Sequence, residues 1–100
     1  MLDSNFKNYT RRNGGGFVHK DASVPESITV GIGSVIEADA IVRPGVTIGE
    51  RCIIEPNANI YRDVEIGNKV TIRQDCVVSQ GAKISDGTVF TLQNCKDIIR

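Results

Sequence analysis

The stretch that decides the fold is IVRPGVTIGERC, residues 41–52, in which Val42, Val46 and Ile48 are aliphatic. Cys52 stands where the next aliphatic residue of the pattern would fall. The gaps run four, two and four residues, which matches neither the two-residue period of a strand nor the 3.6-residue period of a helix. Four plus two indicates instead a structure that repeats every six residues.

The six-residue period continues along most of the chain. Every sixth residue from 18 to 90 is apolar, and together they form an apolar column: Val18, Val24, Val30, Ile36, Val42, Ile48, Ile54, Ile60, Ile66, Ile72, Val78, Ile84 and Phe90. The position four residues after each of these is small or of valine size, except at Ile28: Ala22, Ile28, Ser34, Ala40, Val46, Cys52, Ala58, Val64, Val70, Cys76, Ala82 and Thr88. A repeat this long decides the fold before any single element does.

A third column predicts where the chain turns. Three residues after each aliphatic, nine of twelve positions are Gly, Asn or Asp, which tolerate positive φ: Asp21, Ser27, Gly33, Asp39, Gly45, Arg51, Asn57, Asp63, Lys69, Asp75, Gly81 and Gly87. Pro44 before Gly45 and Pro56 before Asn57 have the residue order of a type II turn. Each hexad is therefore predicted to be one short strand plus one corner. Three hexads close a triangular coil, and four coils stack about 4.8 Å apart.

The run IEADAI VRPGVT IGERCI IEPNAN IYRDVE IGNKVT IRQDCV, residues 36–77, resembles the hexapeptide-repeat family of left-handed parallel β-helices. The resemblance extends over residues 18–90. It implies an all-β fold, a single-stranded left-handed parallel β-helix of about four triangular coils. We predict an N-terminal cap over 1–17, the β-helix over 18–91 and a C-terminal cap over 92–100.

The two ends are expected to cap the stacked coils, because an open solenoid end exposes its core. Leu2, Phe6 and Tyr9 are spaced as on one face of a helix, which predicts a short amphipathic helix lying over the first coil. The glycines at 14–16 would end this helix. At the other end, the last coil or a neighbouring chain could be covered by Leu92, Cys95, Ile98 and Ile99.

Composition excludes several classes of function. Twelve Lys and Arg balance twelve Asp and Glu, so no net charge attracts nucleic acid or an anionic membrane. No apolar run approaches the length of a membrane span, and the N-terminal residues lack the order of a secretory signal. Three cysteines at irregular spacing, without a CxxC pair, indicate neither a disulfide framework nor a zinc site. A reducing, cytoplasmic location is expected.

One outward-facing column is apolar and predicts an interface. It contains Phe17, Val35, Ile53 and Val89, interrupted by Thr71, and we call it the apolar column. An exposed apolar patch of this kind usually marks an interaction site, although β-branched residues are also common on strand surfaces. Because the family resemblance implies three-fold packing, we predict a homotrimer through this column.

The search for catalytic residues yields one candidate, His19. It is the only histidine, it lies beside the apolar column, and Glu37 one coil later could orient its imidazole. Transfer of an acyl group needs a general base near the acceptor. The resemblance implies a coenzyme A-dependent acyltransferase with a histidine between subunits, acetyl-CoA or another acyl-CoA as donor, and a small hydroxyl or amine as acceptor. The alternative is a surface histidine in a ladder of charges.

Other candidate residues have simpler explanations. One histidine per chain cannot supply the three zinc ligands of the gamma-class carbonic anhydrases in the same family, so no metal is expected. Cys52 and Cys76 fall at inward positions and are expected to be buried, inert thiols. Three basic residues near the first coil could contact a coenzyme A phosphate, or could simply be solvated: Lys7, Arg11 and Arg12.

Two functions therefore remain open from the sequence. The chain could be a minimal acyltransferase that depends on His19. It could equally be a non-catalytic trimeric scaffold or binding module, because the unbroken register leaves no protruding loop to shape an acceptor pocket.

Overall fold

The structure, a computed structural model, describes residues 7–91. Within this range the chain forms twelve short β-strands and no helix. The strands are β1 (Tyr9–Arg11), β2 (Phe17–His19), β3 (Val35–Ile36), β4 (Ile41–Val42), β5 (Thr47–Ile48), β6 (Ile53–Ile54), β7 (Asn59–Ile60), β8 (Glu65–Ile66), β9 (Thr71–Ile72), β10 (Val77–Val78), β11 (Lys83–Ile84) and β12 (Val89–Phe90).

The strands stack into three sheets, one for each side of the coil. Sheet A has the order β1-β2-β3-β6-β9-β12, sheet B β4-β7-β10 and sheet C β5-β8-β11. From β2 onward every pairing is parallel and joins residues eighteen apart, such as Ile36 with Ile54. Bridges from Ser23 and Val30 extend sheets B and C into the first coil. The predicted parallel β-solenoid of about four coils is confirmed.

The inward columns form the core. The aliphatic column is buried at every position except the half-buried Val24, and no buried member is more than 6 % exposed. The small column packs against it, and Ser34 is the buried polar residue of the described core. Its hydroxyl donates to the Gly49 carbonyl at 2.6 Å and accepts from the Cys52 N–H at 2.9 Å. Both hydrogen bonds join neighbouring coils, so the buried hydroxyl is satisfied.

The corners adopt positive φ at the predicted positions. Ten corner residues, every sixth residue from 33 to 87, have φ between 57° and 84°: Gly33, Asp39, Gly45, Arg51, Asn57, Asp63, Lys69, Asp75, Gly81 and Gly87. Arg51 and Lys69 are among them, although a long side chain there costs about 1–2 kcal/mol. The place in the hexad, rather than the residue type, therefore sets the backbone conformation.

The prediction of an N-terminal helix is wrong for the residues that the structure describes. Tyr9–Arg11 is a strand, β1, which pairs antiparallel with β2. The connecting turn places Gly14 and Gly15 at φ 94° and 95°, and the N–H of Gly15 donates to the carbonyl of Arg12 at 2.9 Å. A helix would have left the outer edge of sheet A unpaired, whereas a strand satisfies that edge. Leu2, Phe6 and the predicted C-terminal cap, 92–100, lie outside the described residues.

Candidate functional site

His19 lies at the end of β2, on sheet A, with its side chain only 14 % exposed. The antiparallel register places Tyr9 opposite it, and the edge of one ring meets the face of the other at a centroid distance of 5.0 Å and an angle of 87°. This is a favourable aromatic geometry. The imidazole is therefore held in place by the N-terminal hairpin rather than free in solvent.

The hydrogen bonds of His19 decide which ring nitrogen carries the proton. Nδ1 accepts a hydrogen bond from the backbone N–H of Asp21 at 3.0 Å, and the Asp21 carboxylate lies 3.8 Å away. Because the Nδ1 lone pair accepts, the proton of the neutral imidazole lies on Nε2. In this tautomer Nε2 is a donor, whereas a general base needs a free lone pair.

Glu37 is engaged by Tyr9. The Tyr9 hydroxyl donates to Oε1 of Glu37 at 2.5 Å. This hydrogen bond, then burial, and then the charge of Glu37 raise the pKa of Tyr9 to about 12. The carboxylate that was expected to orient His19 accepts a hydrogen bond from Tyr9, and this bond ties β1 to the second coil.

The predicted interface residues do form one column. Pairing aligns Phe17, Val35, Ile53, Thr71 and Val89 in register on sheet A. Ile53 is 43 % and Val89 51 % exposed, whereas Phe17 and Val35 are half-buried. His19 is on the same sheet as this apolar column. The sequence therefore placed the candidate histidine and the candidate interface on one face.

An ion pair runs beside the apolar column. The Nε atom of Arg73 lies 3.2 Å from Oε1 of Glu55, one coil earlier. The same carboxylate oxygen accepts from the backbone N–H of Gln74 at 3.1 Å. The predicted charged ladder thus contains at least one real pair, with the Arg73 side chain 54 % exposed. Exposed pairs of this kind contribute little to stability.

The basic residues near the first coil are used in packing. Nη2 of Arg12 donates to the carbonyls of Val24 and Pro25, at 3.1 and 2.8 Å. The guanidinium of Arg11 lies over the Phe17 ring at 5.4 Å. Arg12 therefore fastens the hairpin to the first coil and Arg11 joins its two strands, roles that sequence reasoning missed when it considered these arginines for a phosphate.

The two described cysteines are fully buried, as predicted. The Cys52 thiol donates to the Gly67 carbonyl at 3.0 Å and the Cys76 thiol to the Phe90 carbonyl at 3.4 Å. Cys95 lies outside the described residues. Across residues 7–91, no three or more His, Cys, Asp or Glu side chains come together to hold a metal ion. The same range contains no helix long and apolar enough to cross a membrane.

Two surface grooves lie away from His19. One, of about 380 Å³ on sheet C, is lined by Thr47, Glu65, Ile66, Gly67, Lys83, Ile84 and Ser85. The other, of about 260 Å³ on sheet B, is lined by Tyr61, Val77, Ser79 and Gln80. Sequence reasoning missed both, although the eighteen-residue coil places Arg43, Tyr61 and Ser79 in one column.

Part of the solenoid is similar to a known family. Residues 27–62 match the family model described as bacterial transferase hexapeptide (six repeats). Neither the curated proteins nor the solved structures contain a significant match. The matched residues lie within the solenoid and do not include His19, so the comparison concerns the fold more directly than the candidate site.

Proposed function

We propose that this chain, in which residues 27–62 match a hexapeptide-repeat family model, is a trimeric β-helix module that associates through the apolar column and acts as a scaffold or binding unit. The observation that carries this proposal is the exposure of Ile53 and Val89 in one register column of sheet A, with Thr71 between them. The hydrogen bonding of His19 supports it, because Nε2 holds the proton.

Burial supplies the energetic reason for association. Ile53 is 43 % and Val89 51 % exposed, and covering such side chains gains on the order of 1 kcal/mol or more each. A three-fold axis repeats that gain in every subunit and closes the assembly. The Glu55–Arg73 pair beside the column would lie at the rim, where charges fix register more than affinity.

Sedimentation velocity with two lysine variants tests this assembly. We expect a wild-type trimer and an Ile53→Lys monomer, because the charge enters the centre of the contact. Thr47→Lys is the matched control, since Thr47 holds the same outward strand position one hexad earlier, on sheet C. It is expected to remain trimeric. A monomeric wild type, or an Ile53→Lys trimer as stable as its parent, would overturn the proposal.

Acyl transfer from acetyl-CoA or another acyl-CoA to a small hydroxyl or amine is the second candidate. It is favoured by the position of His19, whose fixed ring lies on the same sheet as the apolar column and would be covered by a neighbouring subunit. For His19 to accept a proton at Nε2, the imidazole must move its own proton to Nδ1 and lose the hydrogen bond from Asp21. This exchange is the step that the catalytic function requires.

A pair of His19 variants separates the two functions. Titration with acetyl-CoA, followed by NMR of the labelled protein, would shift resonances around His19 if the donor binds there. In an active protein, His19→Ala should lower the rate roughly 10²–10⁴-fold. His19→Asn keeps an acceptor near the Asp21 N–H but removes the base, so it should lose as much activity. Equal activity in wild type and His19→Asn would exclude His19 as the base.

A further inference from the structure

Beside sheet B lies an exposed aromatic ring that an arginine covers on one face. Tyr61 follows β7, and the guanidinium of Arg43, one coil earlier, lies over its ring at 4.0 Å from the centroid. Arg43 also donates to Oδ1 of Asn59, which fixes the cation in place. Tyr61 nevertheless remains 37 % exposed. One face of the ring is therefore occupied by Arg43 while the ring as a whole stays accessible.

In the next coil, the position that corresponds to Tyr61 is occupied by a small residue, which leaves space below the Tyr61 ring. Ser79, eighteen residues after Tyr61, is small, and with Val77, Gln80 and the Tyr61 ring it lines the groove of about 260 Å³. Successive coils are about 4.8 Å apart, and stacked aromatic rings have centroids about 4.5–7 Å apart. The groove therefore has the height for one planar ring beneath Tyr61.

We propose that this groove binds a planar, electron-rich heteroaromatic ring of the purine class, which stacks on Tyr61 opposite Arg43. The cation draws π-electron density toward its own face of the ring. The open face is then less negative, and it attracts an electron-rich ring more than a second cation. Arg43, Tyr61 and the bound ring form a three-layer stack.

Polar side chains at the groove suit the edge of such a ring. Gln80 carries both a donor and an acceptor, the pair that a glutamine uses to bind adenine through N6 and N7. The hydroxyl of Ser79 can donate or accept. A groove of about 260 Å³ is smaller than the roughly 300–1,000 Å³ of sites for drug-sized ligands. It therefore holds the ring system alone and leaves any substituent in solvent.

Adenosine is the probe that tests this site. Adenosine is added to the isotopically labelled full chain up to about 10 mM and the chain is followed by NMR. Resonances of Tyr61, Val77, Ser79 and Gln80 should shift, with a millimolar Kd for adenosine. Ribose, which lacks the ring, should shift none of them. Adenosine carries no thioester, so the result does not depend on the acyl-transfer candidate.

Two variants and one control make the test specific. Tyr61→Leu should weaken adenosine binding about 5–150-fold, the range expected for loss of one base–aromatic stack. Ser79→Tyr should abolish binding, because the new ring fills the empty position. Thr47→Ser, on sheet C, should bind as the wild type does.

Three outcomes would overturn the proposal: no shift at millimolar adenosine, equal shifts with ribose, or unchanged binding in Ser79→Tyr. The last of these decides the matter even if Tyr61→Leu does not fold.

Discussion

Replacement of Gly49 by alanine is expected to destabilise the solenoid through a single added carbon. Gly31, Gly49 and Gly67 stack at one corner of successive coils. A Cβ on Gly49 would lie 2.6 Å from the carbonyl oxygen of Gly67 and 2.4 Å from Oδ1 of Asn68, whereas ordinary contacts begin at 3.4 Å. Because the atom of Gly67 that the added Cβ would contact belongs to the backbone, no side-chain rotation can relieve that contact.

The cost follows from the hydrogen bonds that fix the coil spacing. Moving the two coils apart from 2.6 to 3.4 Å at this contact means a shift of 0.8 Å. That shift would stretch the hydrogen bond from the Gly49 N–H to the Ile66 carbonyl, now 3.0 Å long, to about 3.8 Å, beyond bonding range. Overpacking and the lost bond, less the lower entropy of the unfolded alanine chain, give a net loss of about 2–3 kcal/mol. For a domain of this size the melting temperature should fall by roughly 10–20 °C.

Thermal unfolding followed by circular dichroism measures this effect, with Gly87→Asn as the control. Gly87 has φ 76°, which asparagine tolerates, and a Cβ there meets no described atom within 4 Å. The control should change stability by no more than about 0.5 kcal/mol. A Gly49→Ala protein that melts within about 3 °C of the wild type would refute the reasoning, since the coils would then not be held at the spacing described.

Three further perturbations test other parts of the fold. Insertion of one residue after Ala58 should lower the melting temperature strongly, because it moves Ile60 and all later core residues across the wall of the coil; an unchanged value in calorimetry would contradict the register. Ile54→Ala should cost about 2–5 kcal/mol in urea unfolding, because Ile54 is fully buried; a loss below about 1 kcal/mol would show that the site is not packed. The pKa of Tyr9, raised from 10.0 to about 12, contributes stability that is fully present below about pH 10 and is lost as the pH rises toward 12. Tyr9→Phe should therefore lose less stability between these pH values than the wild type, and equal losses would contradict the hydrogen bond to Glu37.

The solenoid was predictable because its signal is repeated and local. The inward columns were read from spacing alone, and the structure buries them as expected. The corners were identified from Gly, Asn and Asp, yet Arg51 and Lys69 adopt the same conformation with φ of 57° and 58°. A corner between two well-packed strands imposes positive φ even on residues that do not favour it.

The surroundings of His19 were not predictable, because they depend on non-repeating contacts. Tyr9 shares helical spacing with Leu2 and Phe6, but the edge of sheet A requires a strand, and the turn through Gly14 and Gly15 permits a hairpin. Only that hairpin brings Tyr9 to Glu37, twenty-eight residues away. The tautomer of His19 is set by a backbone N–H, which the residue types do not reveal.

The constant eighteen-residue separation of paired strands has a consequence for how the chain folds. Closing each coil costs the same loop entropy, so folding can begin at any coil and propagate to its neighbours. Propagation toward the N-terminus stops at β1, because an antiparallel strand does not continue the repeat. Residues 18–91 therefore behave as a one-dimensional series of coupled units, in which a destabilised coil weakens chiefly the coils next to it.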